Sequence, residues 1–312
     1  MKNATGMLAA ATRVAAPAAP YAAVGVATAY ALARFRLLPA ALCRAWFVAS
    51  APAWLVAARV TSELLNLVGK VCGVAPNKRQ GWTTWALNCC LAGWLRCNPQ
   101  LRVVMDAASK RCWAAVPTAP AAGETKPRAA VVLMNHTSFA DAIVIGFHAT
   151  WAFRANVKVV YKSSLVKVPI FGPQFPLGGH FPVFFKSAQD GNFSVDDRQA
   201  AVSAAMAKYL ADDGGRLMLF PEGAVNKTPA TLQPFRHGTF KLLCDSQCDV
   251  YLMTMTGVHD FWPAAATVGG FPATVRISFR KFETRYGAED AAAMAARART
   301  EMQAELDTLR AQ

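Results

Sequence analysis

Apolar residues dominate the first part of the chain, in long stretches that contain few charges. Val14 to Ala33 has no charged residue, and its 20 positions suit a helix that crosses a bilayer. Leu37 to Ala58 is a second apolar stretch, interrupted by Arg44 and Pro52. We predict that these stretches form an N-terminal helical hairpin, within residues 1–75, that anchors the chain by spanning a membrane or by lying in one leaflet.

The same segment also has features of a targeting sequence. Ala31-Leu32-Ala33 resembles a signal-peptidase site, and no acidic residue occurs before Glu63, as in organellar transit peptides. This alternative stays open at the level of the sequence. Two further apolar stretches follow, at Thr61 to Val74 and Trp82 to Leu95, and the tryptophans of the second favour a bilayer interface.

A different pattern begins after Ala114 to Arg128, a segment whose Pro, Gly and Thr residues predict a loop. Short apolar runs typical of buried strands then alternate with runs of helical periodicity. This alternation predicts the α/β class, with a mixed sheet covered by helices on both faces, in a globular domain placed at residues 76–312. The predicted strands are Ala129 to Met134, Val157 to Tyr161, Phe181 to Phe185, Leu217 to Phe220, Val250 to Met255 and Val275 to Phe282, and the predicted helices are Phe139 to Ala149, Val195 to Ala211, Phe235 to Cys244 and Glu289 to Leu309.

The composition strengthens the expectation of a membrane protein. Hydrophobic residues make up 54% of the chain and charged residues 17%, whereas soluble domains have roughly 45–50% and 25%. The 33 Lys and Arg against 19 Asp and Glu give a net charge of +14, which suits anionic lipid surfaces, phosphate-bearing substrates or nucleic acid. Because no zinc-finger, RNA-recognition or basic-zipper pattern occurs, we expect no nucleic-acid partner.

The 8 cysteines lie mostly in apolar runs of a long chain, which favours reduced, buried thiols over a disulfide framework. Cys244 and Cys248 would share one face of a helix. No second pair of metal ligands stands near them at the usual spacing. The sequence therefore predicts no metal site.

Candidate chemistry lies at the ends of two predicted strands. His136 follows the strand that ends at Met134, and Asp141 comes five residues later, so its carboxylate can bind one ring nitrogen of His136 and leave the other as a base. Glu222 and Gly223 follow the strand that ends at Phe220. There a carboxylate can accept hydrogen bonds from hydroxyl groups, and a glycine lets a ligand approach the backbone.

These residues lie in three ordered blocks that resemble the glycerophospholipid acyltransferase family. The blocks are Asn135-His136 with Asp141, Gly179 to Lys186, and Phe220-Pro221-Glu222-Gly223. Lys186 stands where the family usually has arginine, and Ala224 to Lys227 replace the Thr and the Arg or Ser often found there. No Gly-x-Ser-x-Gly pattern supplies a serine nucleophile.

The resemblance implies direct acyl transfer from acyl-CoA, a co-substrate, to the free hydroxyl of lysophosphatidate, giving phosphatidate, with no resident cofactor. It implies His136 and Asp141 as catalytic residues, and Asn135, Gly179, Lys186, Glu222 and Gly223 as substrate-binding residues. Lys162, Arg236 and Lys241 are further candidates for phosphate, whereas His180 and His237 have no carboxylate beside them in sequence and are interpreted as packing or surface groups.

Two alternatives to lysophosphatidate acylation remain. The acceptor can be glycerol-3-phosphate or another lysophospholipid, or the chain can be a catalytically silent lipid-binding membrane protein. We expect membrane lipids as partners and a cytosol-facing site at the endoplasmic reticulum, with an organellar membrane as the alternative. The sequence gives no prediction of the oligomeric state.

Overall fold

The computed structural model describes residues 23–184 and 198–312. Its centre is a sheet of seven strands in the order β1-β7-β6-β2-β5-β3-β4. All neighbouring strands pair in parallel except β6 and β7, which are antiparallel. The strands are β1 (Leu101–Met105), β2 (Ala130–Met134), β3 (Val157–Lys162), β4 (Phe181–Val183), β5 (Arg216–Leu219), β6 (Asp249–Thr256) and β7 (Ala273–Phe282).

Helices cover both faces of this sheet. The side chains of β2 alternate between two buried clusters, with Val132 in one and Val131 and Leu133 in the other, so the strand is apolar at every position. The predicted α/β class with a covered mixed sheet is confirmed. The helices are α1 (residues 23–34), α2 (Ala40–Val71), α3 (Pro76–Arg96), α4 (Ala107–Ala114), α5 (Asp141–Val144), α6 (Trp151–Asn156), α7 (Gln174–Leu177), α8 (Arg198–Asp213), α9 (His237–Ser246), α10 (Val258–Phe261) and α11 (Ala291–Arg310), with 3₁₀ turns at Ile145–Phe147 and Ser163–Lys167.

The second N-terminal helix is longer than the predicted second arm of the hairpin. Part of Val14 to Ala33 lies outside the described residues, and α1 ends at residue 34. The predicted second arm, Leu37 to Ala58, and the stretch Thr61 to Val74 belong mainly to one helix, α2. Among the described helices, α2 is the one whose length and apolar composition would allow it to cross a membrane.

α2 also packs into the body of the domain. The Phe47 ring stacks on Trp94 of α3, with 4.4 Å between ring centroids, and Phe47 is buried in the same cluster as the sheet residue Val132. A Cβ on Gly93 would stand 2.5 Å from the Trp54 ring, so the glycine lets the two helices approach closely. The anchor proposed at residues 1–75 therefore shares its core with the domain that follows it.

Three other elements differ from the sequence prediction. The strand β1 lies in a region for which no strand was predicted. The predicted helix Phe139 to Ala149 is instead the short α5 followed by the 3₁₀ turn Ile145–Phe147, and the strand predicted at Phe181 to Phe185 is described as Phe181–Val183. The remaining predicted strands agree with the structure within one or two residues.

Candidate active site

The candidate residues lie at one edge of the sheet, beyond the carboxyl ends of two neighbouring strands. His136 follows β2 and Glu222 follows β5. Leu133 and Leu219 are partners in the parallel pairing of these strands, so both loops leave the sheet at the same level. Such strand ends are where open α/β sheets bind their ligands.

His136 and Asp141 are in direct contact. The Nδ1 atom of His136 lies 2.9 Å from Oδ2 of Asp141. The Asp141 side chain is fully buried, whereas the His136 side chain keeps 20% of its surface exposed. A carboxylate at Nδ1 fixes the tautomer in which Nε2 can accept a proton and stabilises the imidazolium that results.

The Asp141 carboxylate is held in place by backbone groups. Its Oδ2 atom accepts hydrogen bonds from the amides of Thr137 and Ser138, at 2.6 and 2.8 Å, besides the contact to His136. Burial raises the pKa of Asp141, and the hydrogen bond from His136 and the two backbone amides oppose that shift. Because three donors converge on one oxygen, we assign the carboxylate form to the working site.

The ring of His136 is also fixed from one side. It stacks on Phe220, with 4.0 Å between ring centroids and 20° between the planes. With Nδ1 bound to Asp141 and one ring face covered by Phe220, Nε2 is the ring nitrogen that remains for a substrate. The imidazole is therefore oriented before any substrate binds.

Glu222 joins the two strand-end loops. Its Oε1 accepts the backbone amide of His136 at 2.8 Å, and its Oε2 accepts the Asn226 side chain at 2.8 Å and the Gln233 amide at 2.9 Å. The backbone amide of Asn226 in turn donates to the carbonyl of His136 at 2.6 Å. Burial raises the pKa of Glu222, and these donors oppose the shift. Glu222 thus positions His136, and its predicted contact with the substrate stays a prediction.

Asn135 connects the His136 loop to β6. Its Nδ2 donates to the carbonyl of Met255 at 2.8 Å, and its Oδ1 accepts the amide of Met255 at 2.8 Å. The side chain is fully buried. These contacts argue against the substrate-binding role predicted for Asn135 and give it a structural one.

Gly223 lies beside Arg236 at an open cleft. Its φ of +74° is in the region that favours glycine, and a Cβ there would stand 3.1 Å from Cγ and Nε of Arg236. The amide of Arg236 donates to the Pro221 carbonyl at 2.7 Å. The cleft, of about 410 Å³, is lined by Glu222, Gln233, Pro234, Phe235, Arg236 and His237.

Comparison with known proteins identifies the domain that carries this geometry. The family model described as Acyltransferase matches residues 121–256, which include the His136, Asp141 and Glu222 positions. Residues 121–256 are an acyltransferase domain. This match confirms the predicted acyltransferase enzyme, and it agrees with the resemblance to the glycerophospholipid acyltransferase family.

A solved structure supports the fold of the acyltransferase. The crystal structure of the 1-acyl-sn-glycerophosphate (LPA) acyltransferase PlsC from Thermotoga maritima is similar, with a TM-score of 0.62 and 13% sequence identity over 87% of this chain and 97% of that chain. At this identity the likeness shows the fold alone. The search of curated protein sequences found no match.

Gly179 and Lys186 are the remaining predicted site residues of the acyltransferase. Gly179, with a φ of +65°, lies in the turn before β4, where a Cβ would stand 2.3 Å from Oε1 of Gln80 in α3. This packing explains the glycine without a ligand. Lys186 lies outside the described residues, so its predicted role stays a prediction.

His180 and His237 have no carboxylate partner in the part of the chain that the structure describes. His180 is buried, and its Nδ1 accepts the amide of Val159 at 3.2 Å. Burial, with a smaller effect from Lys158, lowers the pKa of His180 to about 3. His237 is exposed at the start of α9, where it lines the cleft beside Arg236. Both agree with the interpretation as packing and surface groups.

The two cysteines weighed as metal ligands do not share a helix. Cys244 is in α9, which ends at Ser246, and Cys248 is buried just before β6. Within residues 23–184 and 198–312 no group of three His, Cys, Asp or Glu side chains is arranged to hold a metal ion.

Sequence reasoning missed Asn226 and Gln233 as members of the site. Asn226 follows Glu222 by four residues in a segment without strand or helix periodicity, and it is buried. A polar side chain so close to a carboxylate at a strand end is a signal that could have indicated it. Gln233 takes part through its backbone amide, for which the sequence has no signal.

Proposed function

We propose that this acyltransferase moves a fatty acyl group from acyl-CoA to the free hydroxyl of lysophosphatidate, producing phosphatidate. The observation that carries the proposal is the oriented pair of His136 and Asp141 at a strand end, with 2.9 Å between Nδ1 and Oδ2. An imidazole held in one tautomer is the group needed to activate an alcohol.

The proton follows a closed path in this mechanism. Nε2 of His136 takes the proton of the acceptor hydroxyl as its oxygen attacks the thioester carbonyl carbon. Asp141 stabilises the imidazolium that forms. The tetrahedral intermediate then loses the thiolate as the C–S bond breaks, and the thiolate takes the proton from Nε2. The products are an ester and free coenzyme A, and no acyl-enzyme is required.

The phosphate of the acceptor fits the cleft beside Glu222. Arg236 lines this cleft, and its side chain passes over Gly223, one residue from Glu222. No carboxylate pairs with Arg236 anywhere in the described ranges. A guanidinium presents two parallel donors to a phosphate. We assign phosphate binding to Arg236, with Lys186 as the second candidate from the sequence.

The enzyme is proposed to work at a membrane. The apolar helix α2 supports this placement, as does the net charge of +14, which favours anionic lipid surfaces. The proposed compartment is the endoplasmic reticulum with a cytosol-facing site, and an organellar membrane is the alternative. Membrane fractionation with resistance to carbonate extraction tests the placement.

An acceptor panel tests the activity. Purified full-length protein in lipid nanodiscs is given acyl-CoA with lysophosphatidate, glycerol-3-phosphate or lysophosphatidylcholine, and the lipid products are identified by mass spectrometry. We expect phosphatidate from lysophosphatidate, and its loss in His136→Ala. His259→Ala, a change of a partly exposed histidine outside the site, should keep the activity.

Other results of the panel point to the alternatives. If only glycerol-3-phosphate or lysophosphatidylcholine gave a product, the protein would still be an acyltransferase. Lysophosphatidate would then be replaced as the proposed acceptor. Equal lipid products from wild type and His136→Ala with every acceptor would overturn the proposal and favour the silent lipid-binding protein.

A further inference from the structure

A short loop after β3 exposes apolar side chains to solvent. We name residues 163–172 the β3 loop. Leu165, Val166, Val168 and Ile170 in this loop are each 37–40% exposed. Ile170 has a φ of +65°, which is unfavourable for a β-branched residue. Four neighbouring apolar side chains on a surface, one with strained backbone, mark a contact site.

Part of the backbone of the β3 loop is hydrogen-bonded within the loop. The amide of Val168 donates to the Leu165 carbonyl at 3.0 Å, and the amide of Gly172 donates to the Val168 carbonyl at 2.8 Å. A Cβ on Gly172 would stand 2.2 Å from the carbonyl oxygen of Val166, so the loop folds closely over this glycine. Paired backbone groups remove the main cost of moving a loop into an apolar medium.

The sequence on either side of the β3 loop carries charge of one sign. From residue 142 to residue 189 the sequence has no Asp or Glu, whereas it has five basic residues. Two of them, Lys162 and Lys167, are exposed at the loop itself. Basic side chains beside apolar ones are typical of surfaces that contact anionic lipid head groups.

The β3 loop is connected to the candidate membrane helix α2. The Ser62 hydroxyl of α2 donates to the Thr83 carbonyl of α3 at 3.2 Å, and the Thr83 hydroxyl donates to the Leu177 carbonyl of α7 at 3.1 Å. α7 also contacts the Ser163–Lys167 turn. The half of α2 that holds Ser62 exposes an apolar stripe at Val56, Val60, Leu64, Leu67, Val68 and Val71.

The β3 loop begins at the level of the active site. Val132 and Val159 both pair with Met218, so continuing the register places Ser163 level with His136. The strands β2 and β3 are separated by β5, which corresponds to about 10 Å between them. A membrane contact at this loop would hold the active-site edge of the sheet close to the lipid surface.

We propose that the β3 loop is a second membrane contact, in addition to α2. Its four apolar side chains enter the interfacial region of a bilayer that contains anionic lipid, and Lys162 and Lys167 contact the head groups. This inference rests on the proposed membrane placement of the enzyme and not on the identity of its acceptor.

Photolabelling of the protein by a photoreactive lipid tests this proposal. The full chain is reconstituted in nanodiscs of phosphatidylcholine and phosphatidylglycerol that carry a phospholipid with a diazirine near the head group. Labelled peptides are then identified by mass spectrometry. We expect labels in the β3 loop and in α2. Leu165→Glu and Val168→Glu should each lower loop labelling at least about tenfold relative to α2 labelling.

A matched variant controls for added charge. Val104→Glu changes an exposed valine of β1, at the end of the sheet farthest from β3 and β4, and should leave loop labelling unchanged. Labels confined to α2, or crosslinks from the loop to a second copy of the chain in place of lipid, would overturn the β3-loop contact alone. Absence of lipid labels from both α2 and the loop would overturn the proposed membrane placement as well.

Discussion

Glu222 and His136, 86 positions apart in the sequence, are joined by a hydrogen bond of 2.8 Å from the His136 amide to the Glu222 carboxylate. The bond links the loops that follow two parallel strands, and Asn226 closes a second link between them through the His136 carbonyl. The position of the imidazole therefore depends on both loops, and the contacts of Glu222 define testable consequences.

Glu222→Gln should lower both stability and kcat. Both carboxylate oxygens accept hydrogen bonds, so a glutamine amide must place its NH₂ group against one of the donors. We expect a loss of about 1–3 kcal/mol of stability and at least about a tenfold loss of kcat. Thermal unfolding and steady-state kinetics measure the two effects.

The surface change Glu301→Gln is the control for Glu222→Gln, since its ion pairs with Arg280 and Arg297 are partly exposed. It should have little effect on either measurement. If Glu222→Gln raised KM and left stability unchanged, Glu222 would contact the substrate and have no positioning role.

Asp141→Asn should lower kcat by about 10²–10⁴ with little change in KM. The asparagine oxygen can still accept the amides of Thr137 and Ser138, but the negative charge beside the imidazolium is lost. Release of coenzyme A measures the rate. Asp290→Asn, at the N-cap of α11, is a matched change outside the site. A kcat within about threefold of wild type would remove Asp141 from the mechanism.

Arg236→Ala should raise KM for phosphate-bearing acceptors at least about tenfold, because a hydrogen bond to a charged group contributes about 1.5–3 kcal/mol. Arg236→Lys should recover part of the loss, since lysine keeps the charge without the planar fork. Lys241→Ala removes the same charge from the exposed face of α9 and should change KM less than about twofold. Equal effects of Arg236→Ala and Lys241→Ala on KM would mean that Arg236 contributes only to the positive charge of the protein and does not bind the phosphate.

Acid should destabilise the acyltransferase through His180. The folded pKa of about 3 lies below the ordinary value of 6.5, so the neutral form is favoured by folding. The resulting stability is fully present above pH 6.5 and is lost as the pH falls toward 3. At pH 5 the loss is about 2 kcal/mol.

The variant His180→Asn isolates this effect, because the asparagine Oδ1 stands at the position of Nδ1 and can accept the Val159 amide without titrating. We expect a smaller drop of the melting temperature between pH 7 and pH 5 than in wild type. Identical drops in the two proteins would assign the acid sensitivity to other groups.

The central strands and the main site residues are predictable from the sequence because their signals are local. β2 is a continuous apolar run and β6 a mostly apolar one, and both strands are buried on both sides of the sheet. β1 escaped prediction because it lies at the sheet edge, where Arg102 and Val104 are exposed, so it is not a continuous buried run.

The helix predicted at Phe139 to Ala149 shows where local periodicity fails. The Asp141 carboxylate binds the amides of Thr137 and Ser138, which precede it, and α5 begins at Asp141 itself. The chain then tightens into a 3₁₀ turn where Gly146 packs near Asn88 and Ala92 of α3. A helix pattern cannot reveal a contact with a helix more than 50 residues away.

The roles of Asn135 and Asn226 depend on partners distant in sequence or on loop geometry. The Asn135 side chain pairs with Met255, 120 positions away. Asn226 donates to Glu222 and to the Thr231 carbonyl, inside a loop without regular structure. Residue type and spacing predicted that the block from Asn135 to Asp141 belongs to the site. Only the tertiary fold distinguishes a side chain that faces the substrate from one that holds the loop in place.

The packing of α2 on α3 has a practical meaning for protein production. A shortened chain that starts at Pro76 would uncover the Trp94 ring, on which Phe47 now stacks, and would leave the indole nitrogen of Trp94 without its acceptors, the Phe47 carbonyl and the Ser50 hydroxyl. Removing the apolar segment to gain solubility would therefore expose an apolar surface that is normally buried, and this would favour aggregation.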